Sequence, residues 1–258
     1  MRIILRSLLF IQVAATVTFS QGAGPASAVV KQSTNDAGAE RAASILERMG
    51  VPLERDSQGQ IRWIRAFQGE LSDDALQYLP ELGRLEWLEI GSGNISATGL
   101  AHLGKCVSLR RLFIHDVTLR DDDLAFLSKL LHLEALSLQR TGITGRVLQY
   151  LKMSNSLTIL NLSGDPITDE DLDVVSKLSR LEVLALQDTR ITGAGLARLQ
   201  GMPRLNVLNL SNCKIADSDA LLFTTLPNLR IVHAAGCNLS DNVIEELKMK
   251  APMLAVFR

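Results

Sequence analysis

The feature that most constrains this chain is a repeat of 24 residues that runs from Ile61 to the end of the sequence. Seven leucines stand one period apart, and each opens the pattern L-x-x-L-x-L or a variant of it with another apolar residue: Leu85, Leu109, Leu133, Leu157, Leu181, Leu205 and Leu229. Positions 1, 4, 6, 11, 16, 19 and 22 of the eight repeats make 56 sites, and all but Ser154 and Lys250 are apolar. Since 47% of the chain is hydrophobic, chance would fill only about half of them. A sustained period of this length predicts a solenoid.

The spacing inside one repeat predicts two layers of secondary structure. Alternating apolar residues at positions four and six indicate a short strand. Apolar residues three apart at positions sixteen, nineteen and twenty-two indicate a short α-helix or 3₁₀ helix. One such unit cannot bury its apolar side alone, so neighbouring repeats must stack and their strands must form a parallel sheet. The predicted fold class is therefore α/β.

Hydroxyl and carboxylate side chains recur in the turn between the two layers. Position twelve is serine or threonine in six repeats, and position thirteen is aspartate in five: Asp73, Asp121, Asp169, Asp217 and Asp241. Oxygen acceptors at these positions predict helix N-caps. The dense acids between Asp165 and Asp173 would also suit a cation. Acids at a helix start are favoured by the helix dipole, so we predict a structural role for them.

The chain resembles the leucine-rich repeat proteins, because L-x-x-L-x-L-x-x-[T/C/D]-x-I-[T/S]-[D/G]-x-x-L-x-x-L recurs across residues 61–258. The resemblance implies a curved, right-handed solenoid whose strands line the concave side, with short helices on the convex side. Position nine departs from the asparagine common in the family. Its threonines and cysteines resemble the ribonuclease-inhibitor-like and cysteine-containing subclasses. The order of helix, hairpin and repeats is similar to exported members of planctomycete-type bacteria.

The first residues predict export. Arg2 and Arg6 precede an apolar run from Leu8 to Phe19, and residues 26–28 supply the small side chains of a cleavage site. The run is shorter than the roughly 20 residues that a membrane span needs. Residues 1–28 are therefore interpreted as the signal peptide of a periplasmic or extracellular protein, with a retained membrane anchor as the alternative.

The remaining chain divides into a cap and a repeat domain. Residues 29–60 have a helical pattern closed by Gly50 and then a hairpin pattern, so we predict a cap over the first repeat. Residues 61–258 are predicted to form eight repeats and a truncated closing strand.

Charge and motifs argue against nucleic-acid binding and catalysis. Removing the leader takes away two of 27 basic residues and none of 28 acids, which leaves a net charge of −3. A nucleic-acid binder needs a basic face. The sequence has no G-x-S-x-G, H-E-x-x-H, C-x-x-C or P-loop motif, and His115 and His233 lie five repeats apart. We therefore predict a protein that is not an enzyme and has no cofactor or metal.

Two of the three cysteines form a disulfide candidate. Cys213 and Cys237 occupy position nine of neighbouring repeats, which places them about 5 Å apart in a parallel sheet. Packing as small buried thiols is the interpretation that we favour.

The outward positions of the strands hold the candidate binding residues. Positions three, five and seven point away from the core, and in the first three repeats they carry aromatic and charged side chains. This predicted partner-binding patch consists of Trp63, Arg65, Phe67, Trp87, Glu89, Arg111, Phe113 and His115. Aromatic and arginine clusters are typical of binding hot spots.

A monomeric module that binds a protein or peptide partner is the function we predict. A broad sheet without a deep pocket suits a macromolecule better than a small substrate. Glycan or cell-wall binding through Trp63 and Trp87 is the first alternative. An F-box-like substrate adaptor is the second, suggested by the cysteines at position nine.

Overall fold

The structure is a computed structural model that describes residues 35–258. The predicted signal peptide and the first residues of the predicted cap lie outside the described residues. Within residues 35–258, no helix is both long and apolar enough to cross a membrane.

A single ten-stranded sheet runs through the described chain, and its strands follow one another in sequence order. The strands are β1 (Leu53–Arg55), β2 (Ile61–Ala66), β3 (Trp87–Gly91), β4 (Arg111–His115), β5 (Ala135–Ser137), β6 (Ile159–Asn161), β7 (Val183–Ala185), β8 (Val207–Asn209), β9 (Ile231–His233) and β10 (Ala255–Phe257). Strands β1 and β2 are antiparallel. All later pairs are parallel, and each joins residues 24 apart. The sequence period is therefore also the register of the sheet.

Short helical segments form the second layer. The α-helices are α1 (Asn35–Arg48), α2 (Asp73–Leu76), α3 (Ala97–Ala101), α4 (Leu172–Val175), α5 (Gly193–Arg198), α6 (Asp217–Ala220) and α7 (Asp241–Lys250). The 3₁₀ helices are η1 (Leu79–Leu82), η2 (His102–Lys105), η3 (Asp121–Lys129), η4 (Gly145–Leu151), η5 (Asp169–Asp171) and η6 (Leu221–Thr225). Each repeat fits no more than about three helical turns between consecutive strands, and short segments of this kind often take the tighter 3₁₀ form.

The core lies between the sheet and the helical layer and is filled by the repeated apolar positions. Of the 54 apolar residues at these positions, all but Ile244 are buried. Val243 is buried in the same helix. Ser154 interrupts the pattern, and its Oγ is buried without a hydrogen-bond partner in the described chain. Near the end, Leu254 is buried while Met253 is exposed, although β10 keeps the 24-residue register with β9, with Ala255 opposite Ile231.

The predicted N-caps are confirmed for the hydroxyl residues. All six residues at position twelve stand at a helix N-cap: Ser72, Ser96, Thr144, Thr168, Thr192 and Ser240. The aspartates at position thirteen differ from the prediction, because most of them bind the next repeat. Asp121 accepts hydrogen bonds from the backbone N–H and the hydroxyl of Thr144, both at 2.7 Å. Asp169 binds Thr192 in the same way.

A helix and a hairpin cover the first repeat. Ala42, Ala43 and Leu46 of α1 are fully buried in the core. Arg55 of β1 makes a bidentate ion pair with Glu40 of α1, at 2.7 and 3.0 Å. These contacts join helix and hairpin to one another at the edge of the sheet.

Candidate functional site

The open face of the sheet is the face that carries positions three, five and seven of each repeat, and strands β2, β3 and β4 bring the predicted patch together there. The parallel register aligns Trp63 with Trp87 and Trp87 with Arg111. It also aligns Arg65 with Glu89, and Glu89 with Phe113. The eight residues are therefore neighbours in space, as the period alone requires.

The hairpin strand β1 adds a residue that the repeat pattern does not include. Glu54 lies opposite Trp63 in the antiparallel pair. Its carboxylate accepts a hydrogen bond from Trp63 Nε1 at 2.8 Å and one from Arg65 Nη2 at 2.8 Å. The bonds from Arg65 and then Trp63 hold the pKa of Glu54 below its usual value. Glu54 thereby fixes the first row of the patch while both of its partners stay partly exposed.

Trp87 forms the centre of an aromatic group. The Phe113 ring lies 5.6 Å from the Trp87 ring in an edge-to-face arrangement, a geometry that aromatic quadrupoles favour. The Arg111 guanidinium sits 5.3 Å from the Trp87 ring centre, within cation–π range. The buried Trp87 Nε1 has no hydrogen-bond partner among the described residues. Trp87 is therefore held on two sides by its own neighbours.

A shallow depression of about 390 Å³ opens beside the two tryptophans. Its lining comprises Trp63, Arg65, Glu86, Trp87, Arg110, Arg111 and Glu134. Charge alternates at position two of these repeats: Arg62 pairs with Glu86 at 2.7 Å, and Arg110 pairs with Glu134. This alternation was not singled out from the sequence, although the 24-residue register would have revealed it.

A cluster of charged groups occupies the other end of the patch. His115 Nε2 lies 3.5 Å from Glu89 Oε1, and His115 Nδ1 lies 3.3 Å from Asp116 Oδ2. Asp116 in turn accepts two hydrogen bonds from Arg140, at 2.7 and 3.0 Å. The hydrogen bond with Glu89, more than that with Asp116, raises the pKa of His115 against the opposing effect of burial.

Because Gly91 has no side chain, the His115 ring lies over it on the open face of the sheet. A Cβ atom at Gly91 would lie 2.5 Å from His115 Cε1, so the histidine ring rests where any side chain would stand. The ring thereby approaches Phe67 of the first repeat, with 6.0 Å between ring centres. Phe67 itself is 46% exposed, which makes it the most open aromatic residue of the patch.

The later strands present a different surface. Ala135, Val183, Ala185 and Val207 are small outward residues that their neighbours bury almost completely. Asn161, Ser163, Asn209 and Ser211 are also buried. His233 stacks on Phe257 at 5.2 Å, in strands far from His115. The residues that could contact a partner are therefore concentrated in β2 to β4.

The proposed disulfide candidate is not formed, and both cysteines are free. Cys213 Sγ donates to the carbonyl oxygen of Leu186 at 3.0 Å, and Cys237 Sγ donates to Leu210 at 3.2 Å. Thr189 donates to the same Leu186 carbonyl at 2.6 Å. Threonine and cysteine at position nine thus both donate a hydrogen bond to a backbone carbonyl of the turn, which explains why either residue fits there.

The acids between Asp165 and Asp173 are engaged in structural contacts. Asp171 Oδ2 accepts hydrogen bonds from the backbone N–H and hydroxyl of Thr168, and Asp173 pairs with Arg198. Within residues 35–258 the His, Cys, Asp and Glu side chains form no group arranged to hold a metal ion.

Comparison with known proteins agrees with this architecture. A leucine rich repeat family model matches residues 155–215. The solved structure of internalin C2 from Listeria monocytogenes superposes with a TM-score of 0.59 at 24% sequence identity. The match covers 76% of this chain and 80% of that one. The fold is a leucine-rich repeat solenoid. No curated protein sequence matches the chain.

Proposed function

We propose that this leucine-rich repeat chain binds a protein or peptide partner on the open face of its sheet, through strands β2 to β4. One observation carries the proposal. Partly exposed aromatic and arginine side chains surround the depression of about 390 Å³ in these strands, whereas most outward side chains of the middle strands are small and buried. Rigid aromatic anchors beside arginines are the usual source of binding energy in interfaces.

The same geometry favours a polypeptide over a glycan. A sugar ring binds by lying flat on an indole, but Trp87 is already flanked by Phe113 and by the Arg111 guanidinium. The Trp63 N–H is already committed to Glu54. The tryptophans therefore act as fixed walls of the depression. A catalytic role does not follow from this surface, and we propose binding alone, by a monomeric and exported chain.

Selection from a displayed library of short random peptides tests the proposal. We expect residues 29–258 to enrich peptides whose binding is lost when Phe67→Ala and Arg65→Ala are combined. The matched control is Leu131→Ala, because Leu131 is 50% exposed, comparable to Phe67, and lies in the turn between η3 and β5, outside the predicted patch. Peptides that tolerate the double variant but fail on the control would place the binding surface elsewhere.

Export is tested separately. The expected result is that N-terminal sequencing of the protein recovered from the producing cell begins after Ala28. A cytosolic protein with an intact N-terminus would contradict export and would reopen the adaptor alternative.

A further inference from the structure

Glu89 is a carboxylate buried on the surface that we propose for binding. Only 6% of the residue is exposed, although position five of the strand points away from the core. Arg65 lies beside it on β2 and Phe113 lies beside it on β4. A buried carboxylate is costly unless it is paired and hydrogen-bonded, so the partners of Glu89 decide what this surface can accept.

The pairing of Glu89 within the described chain is weak. His115 Nε2 approaches Glu89 Oε1 at 3.5 Å, whereas charge-assisted hydrogen bonds are typically about 2.7–2.9 Å. A carboxylate has room for about four hydrogen bonds. The guanidinium of the neighbouring Arg65 is directed to Glu54, to which its Nη2 donates at 2.8 Å. Glu89 therefore keeps acceptor capacity for a stronger cation.

The side chain of His115 lies beside Glu89 on the open face. His115 lies over Gly91 and reaches toward Phe67. No backbone contact of the sheet depends on its ring. When the ring withdraws, the position over Gly91 opens beside the Phe67 ring, and aromatic faces attract cations.

We propose that the partner inserts a lysine or arginine side chain at Glu89, in the place that His115 occupies in the unbound chain. The inference rests on the proposed function and names the specificity-determining residue of the same surface. The partner cation forms a closer ion pair with Glu89 than the 3.5 Å contact that His115 makes, and its aliphatic part packs against Phe67. An acidic partner segment would meet the Glu89 carboxylate instead.

This arrangement makes binding a competition between two cations. The His115 ring lies near the carboxylates of Glu89 on β3 and of the adjacent Asp116. Asp116 is paired with Arg140, and the Phe67 ring also faces His115. Protonated His115 holds its place over Glu89 and repels an incoming cation, whereas neutral His115 does neither. The affinity for a basic peptide should therefore rise several-fold from about pH 6 to about pH 8.

The experiment uses peptides recovered from the random library and then synthesised. We expect their consensus to contain lysine or arginine and their affinity to fall by about tenfold or more in Glu89→Gln. Glu182→Gln is the matched control, since it removes the same charge from position two of a distant repeat. Because Glu89→Gln could disturb folding, its thermal unfolding is recorded. Replacing the peptide's basic residue by glutamine, against the unaltered chain, gives an independent measurement.

The outcomes separate the inference from the proposed function. Peptides that depend on Phe67 and Arg65 but carry an acidic or neutral consensus, or that bind Glu89→Gln with unchanged affinity, overturn the inference and leave the proposed function standing. Failure to recover any peptide sensitive to the open-face substitutions overturns the proposed function itself.

Discussion

Asp165 occupies position nine of the fifth repeat, where burial opposes its charge. Oδ1 accepts hydrogen bonds from the backbone N–H groups of Thr141 and Gly142, at 2.9 and 2.7 Å. Oδ2 is buried without a hydrogen-bond partner in the described chain. Desolvation raises the pKa of Asp165 to about 7 against the effect of these bonds. Below about pH 7 the folded chain therefore favours the protonated form of Asp165.

The shifted pKa of Asp165 predicts a pH-dependent stability. A carboxyl group with a raised folded-state pKa stabilises the fold below the unfolded pKa of about 4 and loses that contribution as the pH rises to about 7. Asp165→Asn keeps the Oδ1 acceptor and removes the titration. We expect the variant to gain about 2–4 kcal/mol relative to the unaltered chain between about pH 4 and about pH 8. Denaturant unfolding across this range measures the difference, and a constant difference would contradict the account.

His115 predicts a second titration. Because Glu89 contributes most to the raised pKa of His115, Glu89→Gln should lower that pKa, and Glu182→Gln should leave it unchanged. The imidazole Cε1–H resonance of His115, followed by NMR against pH, reports the value. Equal pKa values in both variants would show that Glu89 does not hold the ring.

For single residues, the 24-residue register predicted which strand position each one takes, but it did not predict how deeply each one is buried. The spacing placed Trp63, Trp87 and Arg111 in one row, and the structure has them there. The burial of Glu89 could not be read from the period, because it depends on His115 crossing Gly91. Glu54 was missed because it belongs to the hairpin and lies outside the repeat.

At the scale of elements, the repeats alternate in how they bind one another. Asp73, Asp121, Asp169 and Asp217 stand 48 residues apart, and each accepts hydrogen bonds from the N-cap residue of the next repeat. At the same position the repeats in between carry Ala97, Gly145 and Gly193, and the last repeat carries Asp241. The side chains of Asp171 and Asp219 fill the space above Gly145 and Gly193. The structural unit is therefore a pair of repeats, which the 24-residue pattern of apolar residues does not show.

The hydrogen bonds that Asp73 makes with the next repeat can be removed by a single substitution. Its carboxylate binds the backbone N–H of Ser96 at 2.8 Å and also the Ser96 hydroxyl. Asp73→Ala should lower the free energy of unfolding by about 1–2 kcal/mol, since a cap residue loses its acceptor. Asp74→Ala removes the next, exposed acid of the same turn and should change it by less than about 0.5 kcal/mol. Thermal unfolding compares the two, and equal losses would mean that the bridge contributes nothing specific.

At the scale of the molecule, the sheet pairs each repeat only with its sequence neighbours, so the ends govern stability. The N-terminal end is closed by α1, whose Leu46 is fully buried against the first repeat. At the other end, β10 forms the last strand of the sheet, with Met253 and Phe257 exposed. The solenoid was predictable as a whole because its period repeats. The identity of a partner was not predictable, because the residues at outward positions do not follow the repeated apolar pattern.

Weaker packing of α1 on the first repeat should destabilise mainly the strands nearest to it. Leu46→Ala leaves a cavity and should cost about 2–5 kcal/mol, whereas Met49→Ala, at a side chain 38% exposed in the same stretch, should cost little. Hydrogen exchange should show reduced protection first in β2 and β3 and unchanged protection in β8 and β9. Uniform loss along the chain would contradict nearest-neighbour coupling.

The central claim is that strands β2 to β4 form the binding surface, and the two tryptophans of the chain permit a direct test. Their indole N–H groups give two NMR signals, one hydrogen-bonded to Glu54 and one buried beside Phe113. Titration of a library-selected peptide into the isotope-labelled chain should shift both signals and the amides of β2 to β4. Unmoved indole signals, together with shifts confined to β6 to β8, would contradict the account.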